Sequence, residues 1–473
     1  MRNAVLRGML LLLCCLFVLP VPALCATSAY SLTRDTDGQM VTMPVSYTVT
    51  RYMDDFGPLC GGLAVPQDID CRNGLLYVAD TGNNRIVVLS CDLVAQAVFT
   101  GGETSFNGPQ GVYVDADGDI YVADTGNGRI VHLSPAGEVV ETFSRPESSL
   151  YDAGYAFRPL KLCIDHAGQF YLINDEDYHG FIVMDALGEF KGYVAPTRVE
   201  SSLLDRVIER VATEEQQAQL DRKLPPVHTN FFMDETGAVY VTTGRTETAQ
   251  LKKFLSYGSN IFPYTGVFGA GKEESRIVDV TVSADGIITL LEKDSGLLYQ
   301  YDGDGNMLTC FGGFGNWRGT FMAASSLCQD EAGNLYVLDG GTGTITVWKP
   351  TSFIRKVHEA IRLSAAGLYT EAMRPWQDVL SIDQNYPIAR IGMGKAYMRQ
   401  QKYAEALEQY TIAGYVQGYS EAYAGLRHEF FRAHFGLVVL AAALLIVLGY
   451  YGIRACARYA ARLSATDLRK GRL

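Results

Sequence analysis

Apolar and polar residues alternate in short runs through most of the chain, and one such run occurs twice almost unchanged. The segment 76–89, LYVADTGNNRIVVL, returns at 120–133 as IYVADTGNGRIVHL. A period of two is typical of β-strands. Weaker copies follow, and the equivalent second residues are Tyr77, Tyr121, Tyr171, Tyr240, Thr289 and Tyr336. Their spacings of 44, 50, 69, 49 and 47 residues predict six copies of one structural unit.

Each unit holds four predicted strands. A short first strand ends at an Asp-x-x-Gly turn, a second strand follows, and a polar loop leads to the third and fourth. The turns are at 115–118, 165–168, 234–237 and 330–333. Four strands in about 40–50 residues form the blade of a β-propeller. We therefore predict an all-β six-bladed propeller.

The pattern Y-V-A-D-x-x-N-x-R-I of the first two units resembles the NHL repeat family, as do Pro66-Gln67 and Pro109-Gln110-Gly111 before their first strands. The resemblance covers about residues 45–349 and implies an NHL-type six-bladed propeller. The last unit has only three apparent strands before Pro350. The alternating segment 46–52 is therefore predicted to supply the fourth and close the ring.

Residues 196–225 are an insertion that accounts for the spacing of 69. Apolar residues at 203, 204, 207, 208 and 211 form a helical stripe, and the TEEQ sequence at 213–216 is a capping box. These signals predict a helical hairpin on the propeller.

After Pro350 the period changes to 3.6, which indicates helices. Residues 353–430 resemble TPR repeats, with Gly394, Tyr397, Tyr403 and Ala406 at motif positions. The resemblance implies one and a half to two repeats, fewer than the three that usually stand alone. A rigid spacer with protein contacts is favoured over a peptide receptor.

Two apolar runs flank this core. Residues 9–19, preceded by Arg2 and Arg7, predict a signal peptide over 1–26, and a lipid-bearing Cys25 is a weaker alternative. Residues 435–453 predict a transmembrane helix, and the basic tail 454–473 marks its cytoplasmic end. The expected location is the cell membrane, single-pass, with residues from about 27 to 434 outside.

The formal net charge is −12, and about −19 without the two terminal basic segments. So acidic an outer portion excludes nucleic acid as a partner, because phosphate binding needs a basic surface. Six cysteines fall in this portion, and they permit three disulfides or serve as small buried residues: Cys60, Cys71, Cys91, Cys163, Cys310 and Cys328.

Two identical polar triads belong to the repeat, Asp80, Asn83 and Arg85 in the first unit and Asp124, Asn127 and Arg129 in the second. Such triads usually tie a loop to its neighbour. The Asp-rich stretches at 115–119 and 302–306 suggest calcium loops, but the EF-hand spacing fails and we interpret them as turns.

The third unit departs from the repeat at 174–180, where NDEDYHG replaces the usual polar loop. Its residues Asp175, Glu176, Asp177, Tyr178 and His179 could bind a cation, a sugar or a basic peptide, or form a solvated loop. Loop and insertion are both expected at the propeller end where the first strands begin, facing away from the membrane.

We expect a membrane-anchored extracellular binding or scaffolding protein that mediates contacts with proteins, or with a glycan, in an envelope or transporter-associated assembly. No cofactor or metal is expected. The alternative is a metal-dependent hydrolase or lyase, since lactonases and amidating lyases use similar propellers. The four propeller histidines do not form a clear three-histidine zinc set, and they are His132, His166, His179 and His228.

Overall fold

A computed structural model describes residues 30–470 except 152–153, 155, 196–226, 245–249, 256–259, 265 and 270–274. The predicted signal peptide and the predicted helical hairpin at 196–225 lie outside the described residues. The chain divides into two compact units. Among the described residues, the first holds the β-strands and the α-helix Ser352–Ala365, and the second holds the other α-helices.

Six antiparallel sheets confirm the six-bladed propeller. In the first four blades the described strands lie in chain order from the first, inner strand outward, and the sheets of the fifth and sixth blades each add N-terminal strands at the outer edge. The first blade contains β4 (Asp68–Arg72), β5 (Leu75–Asp80), β6 (Arg85–Ser90) and β7 (Ala95–Phe99). The second contains β8 (Gly111–Val114), β9 (Ile120–Asp124), β10 (Arg129–Leu133) and β11 (Val139–Phe143).

The third blade contains β12 (Pro159–Ile164), β13 (Phe170–Asn174), β14 (Phe181–Met184) and β15 (Phe190–Val194). Three strands of the fourth are described, β16 (His228–Met233), β17 (Ala238–Thr243) and β18 (Leu251–Leu255). The fifth contains β19 (Ile277–Val282), β20 (Ile288–Glu292), β21 (Leu297–Tyr301) and β22 (Met307–Gly312). The sixth contains β23 (Ala324–Gln329), β24 (Leu335–Asp339) and β25 (Thr344–Pro350).

The ring closes as the sequence predicts. Strand β3 (Tyr47–Met53) pairs antiparallel with β25, from Pro350↔Tyr47 to Ile345↔Met53, and becomes the fourth strand of the sixth blade. The outer edge of β25 is thereby covered, and the two ends of the propeller sequence meet in one sheet.

A hairpin before this strand was missed, and the propeller therefore begins earlier than residue 45. Strands β1 (Ser31–Arg34) and β2 (Met40–Met43) pair with each other, and β1 adds to β22 of the fifth blade. The side chain of Thr33 donates to Met307 O at 3.0 Å. Both strands have only four residues and lack the repeat signature, so the alternation gave no signal for them.

The Asp-x-x-Gly turns share one arrangement, including the two that suggest calcium loops. In the turns of Asp115, Asp165, Asp234 and Asp302, the aspartate Oδ1 accepts two backbone N–H bonds, from the second and fourth residues after it. Asp330 accepts the bond from the fourth residue. Asp115 and Asp302 are therefore engaged by their own turns. Gly118 and Gly305 have φ of +90° and +87°, which glycine adopts without a steric cost.

Six helices follow the propeller: α1 (Ser352–Ala365), α2 (Tyr369–Ile382), α3 (Pro387–Arg399), α4 (Tyr403–Ala413), α5 (Val416–Ala433) and α6 (Phe435–Lys470). Helix α1 belongs to the unit of the propeller. Its buried face includes Phe353 and Val357, and its His358 contacts Gln300 Oε1 at 3.0 Å. Burial lowers the pKa of His358 to about 4, so its imidazole is neutral at pH 7.

In the second unit small residues face large ones. A Cβ on Gly394 of α3 would lie 2.3 Å from the ring of Tyr410 in α4. The two helices can therefore approach this closely only because residue 394 has no side chain. The helix α6 includes a stretch, Phe435–Ala460, that is long and apolar enough to cross a membrane, and the mean hydropathy of its most apolar 18 residues is 2.3. The helix continues beyond the apolar run into the basic segment that follows Ile453.

Candidate functional site

The repeated triads bind the loops that lead into the first strands of the first and second blades. Asp80 Oδ2 accepts from Asn83 Nδ2 (2.9 Å) and Arg85 Nε (2.7 Å), and its Oδ1 accepts the backbone N–H of Ala64 (2.7 Å). Arg85 Nη2 also donates to the carbonyls of Cys60 and Gly62. Both oxygens of the carboxylate are therefore occupied within this part of the chain, and Asp80 acts as a structural tie.

The second triad repeats the same geometry. Asp124 Oδ2 accepts from Asn127 (2.8 Å) and Arg129 (2.7 Å), and its Oδ1 accepts the N–H of Asn107 (2.7 Å). Both aspartates are fully buried. The pairs with arginine therefore fix the loop that leads into each first strand.

A depression of about 310 Å³ lies where the first strands begin. All six blades contribute to it. We call it the channel mouth. The residues that line it in, or one residue before, the six first strands include Gln67, Gln110, Leu160, Thr229, Val278 and Ser325. A larger depression of about 480 Å³ lies at the β14–β15 turn, but only one blade lines it, and its Lys191 is held by Asp185 at 2.7 Å.

Three of the five candidate residues of the acidic loop line the channel mouth, namely Asp175, Glu176 and Tyr178. Glu176 is exposed and has φ of +57°, an uncommon conformation for a residue other than glycine. Asp175 lies 3.3 Å from Arg158 Nη1. The loop therefore brings two carboxylates and a phenol to one rim of the depression.

The other two candidates are paired with each other. The buried Asp177 accepts from the backbone N–H of His179 at 3.0 Å and contacts its Nδ1 at 2.8 Å through the same Oδ1. This turn shapes the loop, and neither side chain lines the mouth.

One register position of the first strands, below the mouth, carries a polar side chain in every blade except the second. Each residue at this position lies opposite an equivalent second-strand residue, from Ala79 in the first blade to Leu338 in the sixth. We call this level the channel ring. Its members are Asp68, Gly111, Lys161, Asn230, Asp279 and Ser326.

The ring bonds successive blades together. Asp68 Oδ2 accepts the N–H of Val112 in the next blade at 2.9 Å, and Asp279 Oδ2 accepts the N–H of Leu327 at 2.7 Å. Ser326 contacts both acids, at 3.0 and 2.6 Å. Asn230 donates to Asp279. The hydrogen-bonding capacity of these buried groups is therefore largely met within the propeller.

Lys161 of the third blade forms an ion pair with Asp68 of the first blade. Its Nζ also donates to the carbonyl of Gln67 at 3.4 Å. Gly111 of the intervening blade has no side chain at this level, and a Cβ there would lie 2.4 Å from Leu160 O. The ion pair therefore links two blades that are not neighbours in the ring.

Burial raises the pKa of Asp279 to about 7, although Lys161 acts in the opposite direction. Burial likewise raises the pKa of Asp70, one pleat below the ring, to about 6. An unfolded aspartate titrates near 3.9. The stabilising contribution of each protonated acid is therefore complete below about pH 4 and is lost as the pH rises through 6 to 7.

We predict that Asp279→Asn flattens the pH dependence of stability. Asparagine stays neutral at every pH. The free energy of unfolding of the variant therefore lacks the decrease of about 2–4 kcal/mol that ionisation of a buried acid causes between pH 4 and 8. Melting temperatures at pH 5 and pH 8 measure it, with exposed Asp117→Asn as the control. If the melting temperature falls equally between pH 5 and pH 8 in Asp279→Asn and in the unaltered chain, the raised pKa of Asp279 is contradicted.

The four histidines have separate surroundings. His132 lies 3.2 Å from Asp119, His166 contacts Glu235 O at 3.3 Å, and His228 donates to Ala195 O at 2.9 Å. Burial lowers the pKa of His228 to about 4, which keeps it neutral beside the mouth. Within the described ranges, no three His, Cys, Asp or Glu side chains are arranged to hold a metal ion.

Comparison with known proteins supports the repeat. Residues 106–133, in the second blade, match the family model described as NHL repeat, which confirms the resemblance there. No curated protein matches the chain.

Solved structures resemble the chain weakly. One is described as streptogramin B lyase, at 12% identity and a TM-score of 0.38, covering 69% of this chain and 88% of that one. Virginiamycin B lyase from Staphylococcus aureus has 10% identity and a TM-score of 0.38, covering 69% and 89%. The extracellular domain of a hybrid two-component system from B. thetaiotaomicron has 12% identity and a TM-score of 0.40, covering 68% and 38%. We draw no function from these low values.

Proposed function

We propose that the chain is a membrane-anchored binding protein that holds a partner protein at the channel mouth. The observation that carries the proposal is the position of the acidic loop. The loop between the second and third strands of the third blade departs from the sequence shared by blades one and two. It places Asp175, Glu176 and Tyr178 on the rim of a depression lined by all six blades.

The chemistry of the rim favours a positively charged group. Two carboxylates lie beside a phenol, whose ring can contact apolar or cationic surface. Lys161 is engaged with Asp68. Arg158 lies 3.3 Å from Asp175, while Lys293 also lines the mouth. The exposed Glu176 is therefore the main acidic group offered to a ligand. A basic side chain of a partner protein fits these features, and a glycan is the alternative ligand.

Anchoring and orientation belong to the same proposal. Helix α6 would cross the membrane, with Arg454 and Arg458 at its cytoplasmic end, which leaves the propeller outside. The signal segment at 1–26 would direct export. The helices α2–α5 would act as a TPR-like spacer. The partner would belong to an envelope or transporter-associated assembly.

Partner binding should depend on the charge of the rim. Intact cells are treated with a membrane-impermeant amine cross-linker, solubilised, and the chain is captured. The product measured is the covalent adduct between the chain and its partner protein. We expect Asp175→Asn/Glu176→Gln to reduce the amount of this adduct at least tenfold, since two charges proposed to contact the ligand are removed. The control variant Asp117→Asn/Glu138→Gln removes two exposed carboxylates at the opposite end of the propeller.

An equal loss in both variants would mean that net charge, not the rim, matters. Retention of the adduct in the rim variant would contradict the site. Adducts formed only with a membrane-permeant reagent would contradict the orientation. Loss of the adduct after glycosidase treatment would identify a glycan instead of a protein surface.

A further inference from the structure

The sixth blade packs against the first blade, and two cysteines lie at this boundary. We call the boundary between the first strands β4 and β23 the seam. The backbone N–H of Ile69 donates to Ser326 Oγ at 3.3 Å, which sets the first strands β4 and β23 side by side. Two residues further along these strands are Cys71 and Cys328. Because side chains alternate along a strand, Cys71 shares the side of Ile69, and Cys328 shares the side of Ser326.

The contacts agree with this register. Burial and then the neighbouring Cys71 side chain raise the pKa of the Cys328 thiol, so the two side chains lie close together. Both lie in an apolar cluster formed by the two blades, which also contains Leu76 and Tyr336. Both cysteines are free thiols in this structure, Cys328 buried and Cys71 half-buried. We propose that Cys71 and Cys328 form a disulfide that locks the propeller ring at its seam.

The oxidation balances with an external disulfide as the oxidant. One S–S bond forms between the two cysteines, which lose two protons and two electrons, and the external disulfide is reduced to two thiols. Burial raises the pKa of the Cys328 thiol. Thiolate is therefore scarce in the folded ring, and the bond should form mainly while the chain folds.

A third thiol provides the competing pairing. Cys91 donates from Sγ to Gly74 O at 3.2 Å and lies near Cys71 in the same apolar cluster. A bond between Cys71 and Cys91 would stay within the first blade. Only the Cys71–Cys328 bond closes a loop of about 250 residues, and a loop of that length restricts the unfolded chain most.

The pairing is tested by peptide mapping of the full chain in detergent. One sample comes without reductant from cells that export the protein, and another is incubated with oxidised glutathione. Both are alkylated in acid and digested with trypsin. We expect peptide 52–72 linked to peptide 319–355. Because 52–72 also contains Cys60, the link must survive in Cys60→Ser and disappear in Cys71→Ser and in Cys328→Ser.

Stability gives a second readout. A reductant should lower the melting temperature of the unaltered chain and of Cys91→Ser by about 5–10 °C, and should not change that of Cys328→Ser. A link between Cys71 and Cys91 would overturn the proposal. Alkylation of both Cys71 and Cys328 in both oxidised samples would overturn it as well. Neither readout depends on a ligand at the channel mouth.

Discussion

Removal of strand β3 should abolish cooperative unfolding of the propeller. Deleting residues 47–53 leaves the sixth blade with three strands and exposes the edge of β25. The deletion also removes Tyr47, whose ring stacks on Phe311 at 4.7 Å between centroids and whose hydroxyl accepts from Gln300 at 3.0 Å. We expect a broad melt, lowered by on the order of 10 °C or more, with aggregation.

Circular dichroism melts and size-exclusion chromatography measure this effect. The point variant Val49→Pro tests the same strand with the chain length unchanged, because proline fixes φ at about −65° and disturbs the extended backbone of the strand. Deletion of residues 30–43 is the matched control, since the β1–β2 hairpin covers an outer strand and does not close the ring. If loss of the hairpin proves as damaging as loss of β3, closure is not what stabilises the ring.

Replacing Lys161 by methionine should cost about 3–5 kcal/mol, because it leaves the carboxylate of Asp68 buried without its cation. Methionine keeps an unbranched apolar stem that is only one atom shorter than lysine, so lost packing contributes little. The double variant Lys161→Met/Asp68→Asn should recover most of the loss. Its asparagine still accepts the N–H of Val112 and no longer carries a buried charge.

Calorimetric melting of the three proteins measures this energy. The pair of Arg51 and Asp92 is the control, because it is also a direct ion pair, with an N–O distance of 2.7 Å, but both side chains are exposed. Arg51→Met should cost less than about 1 kcal/mol. Equal costs for Lys161→Met and Arg51→Met would show that the pair across the channel ring is no more important than a surface pair.

The repeat could be predicted because its signals are local. Alternation and the Asp-x-x-Gly turns are repeated often enough to count the blades, and the missing strand of the last blade pointed to 46–52. The β1–β2 hairpin has no copy elsewhere in the chain. Its one local sign was the turn from Asp35 to Gln39, where Asp35 Oδ1 accepts two backbone N–H bonds.

The channel ring could not be predicted from single segments. Asp68, Lys161 and Asp279 differ in charge and lie far apart in sequence, so no pattern connects them before the ring closes. Aligning the blades by their second strands would have placed them at one level, because each lies opposite the residue equivalent to Ala79. That comparison of one position across all copies was the signal available.

The sequence predicted the unusual acidic loop but not which of its side chains face the depression. Composition identified Asp175–His179 as a departure from the repeat. Which side chains face the depression depends on the turn, since Asp177 accepts from His179 and is buried while Glu176 is exposed. A linear pattern does not specify that division.

Site-specific photo-cross-linking tests the central claim most directly. A benzophenone amino acid is placed at Tyr178 on the channel mouth, and in a second variant at Leu187, which is 80% exposed at the opposite end of the same blade. The cells are irradiated intact. We predict a discrete partner adduct from position 178 that disappears with Asp175→Asn/Glu176→Gln, and none from position 187. An adduct from position 187 alone would contradict the channel mouth as the binding site.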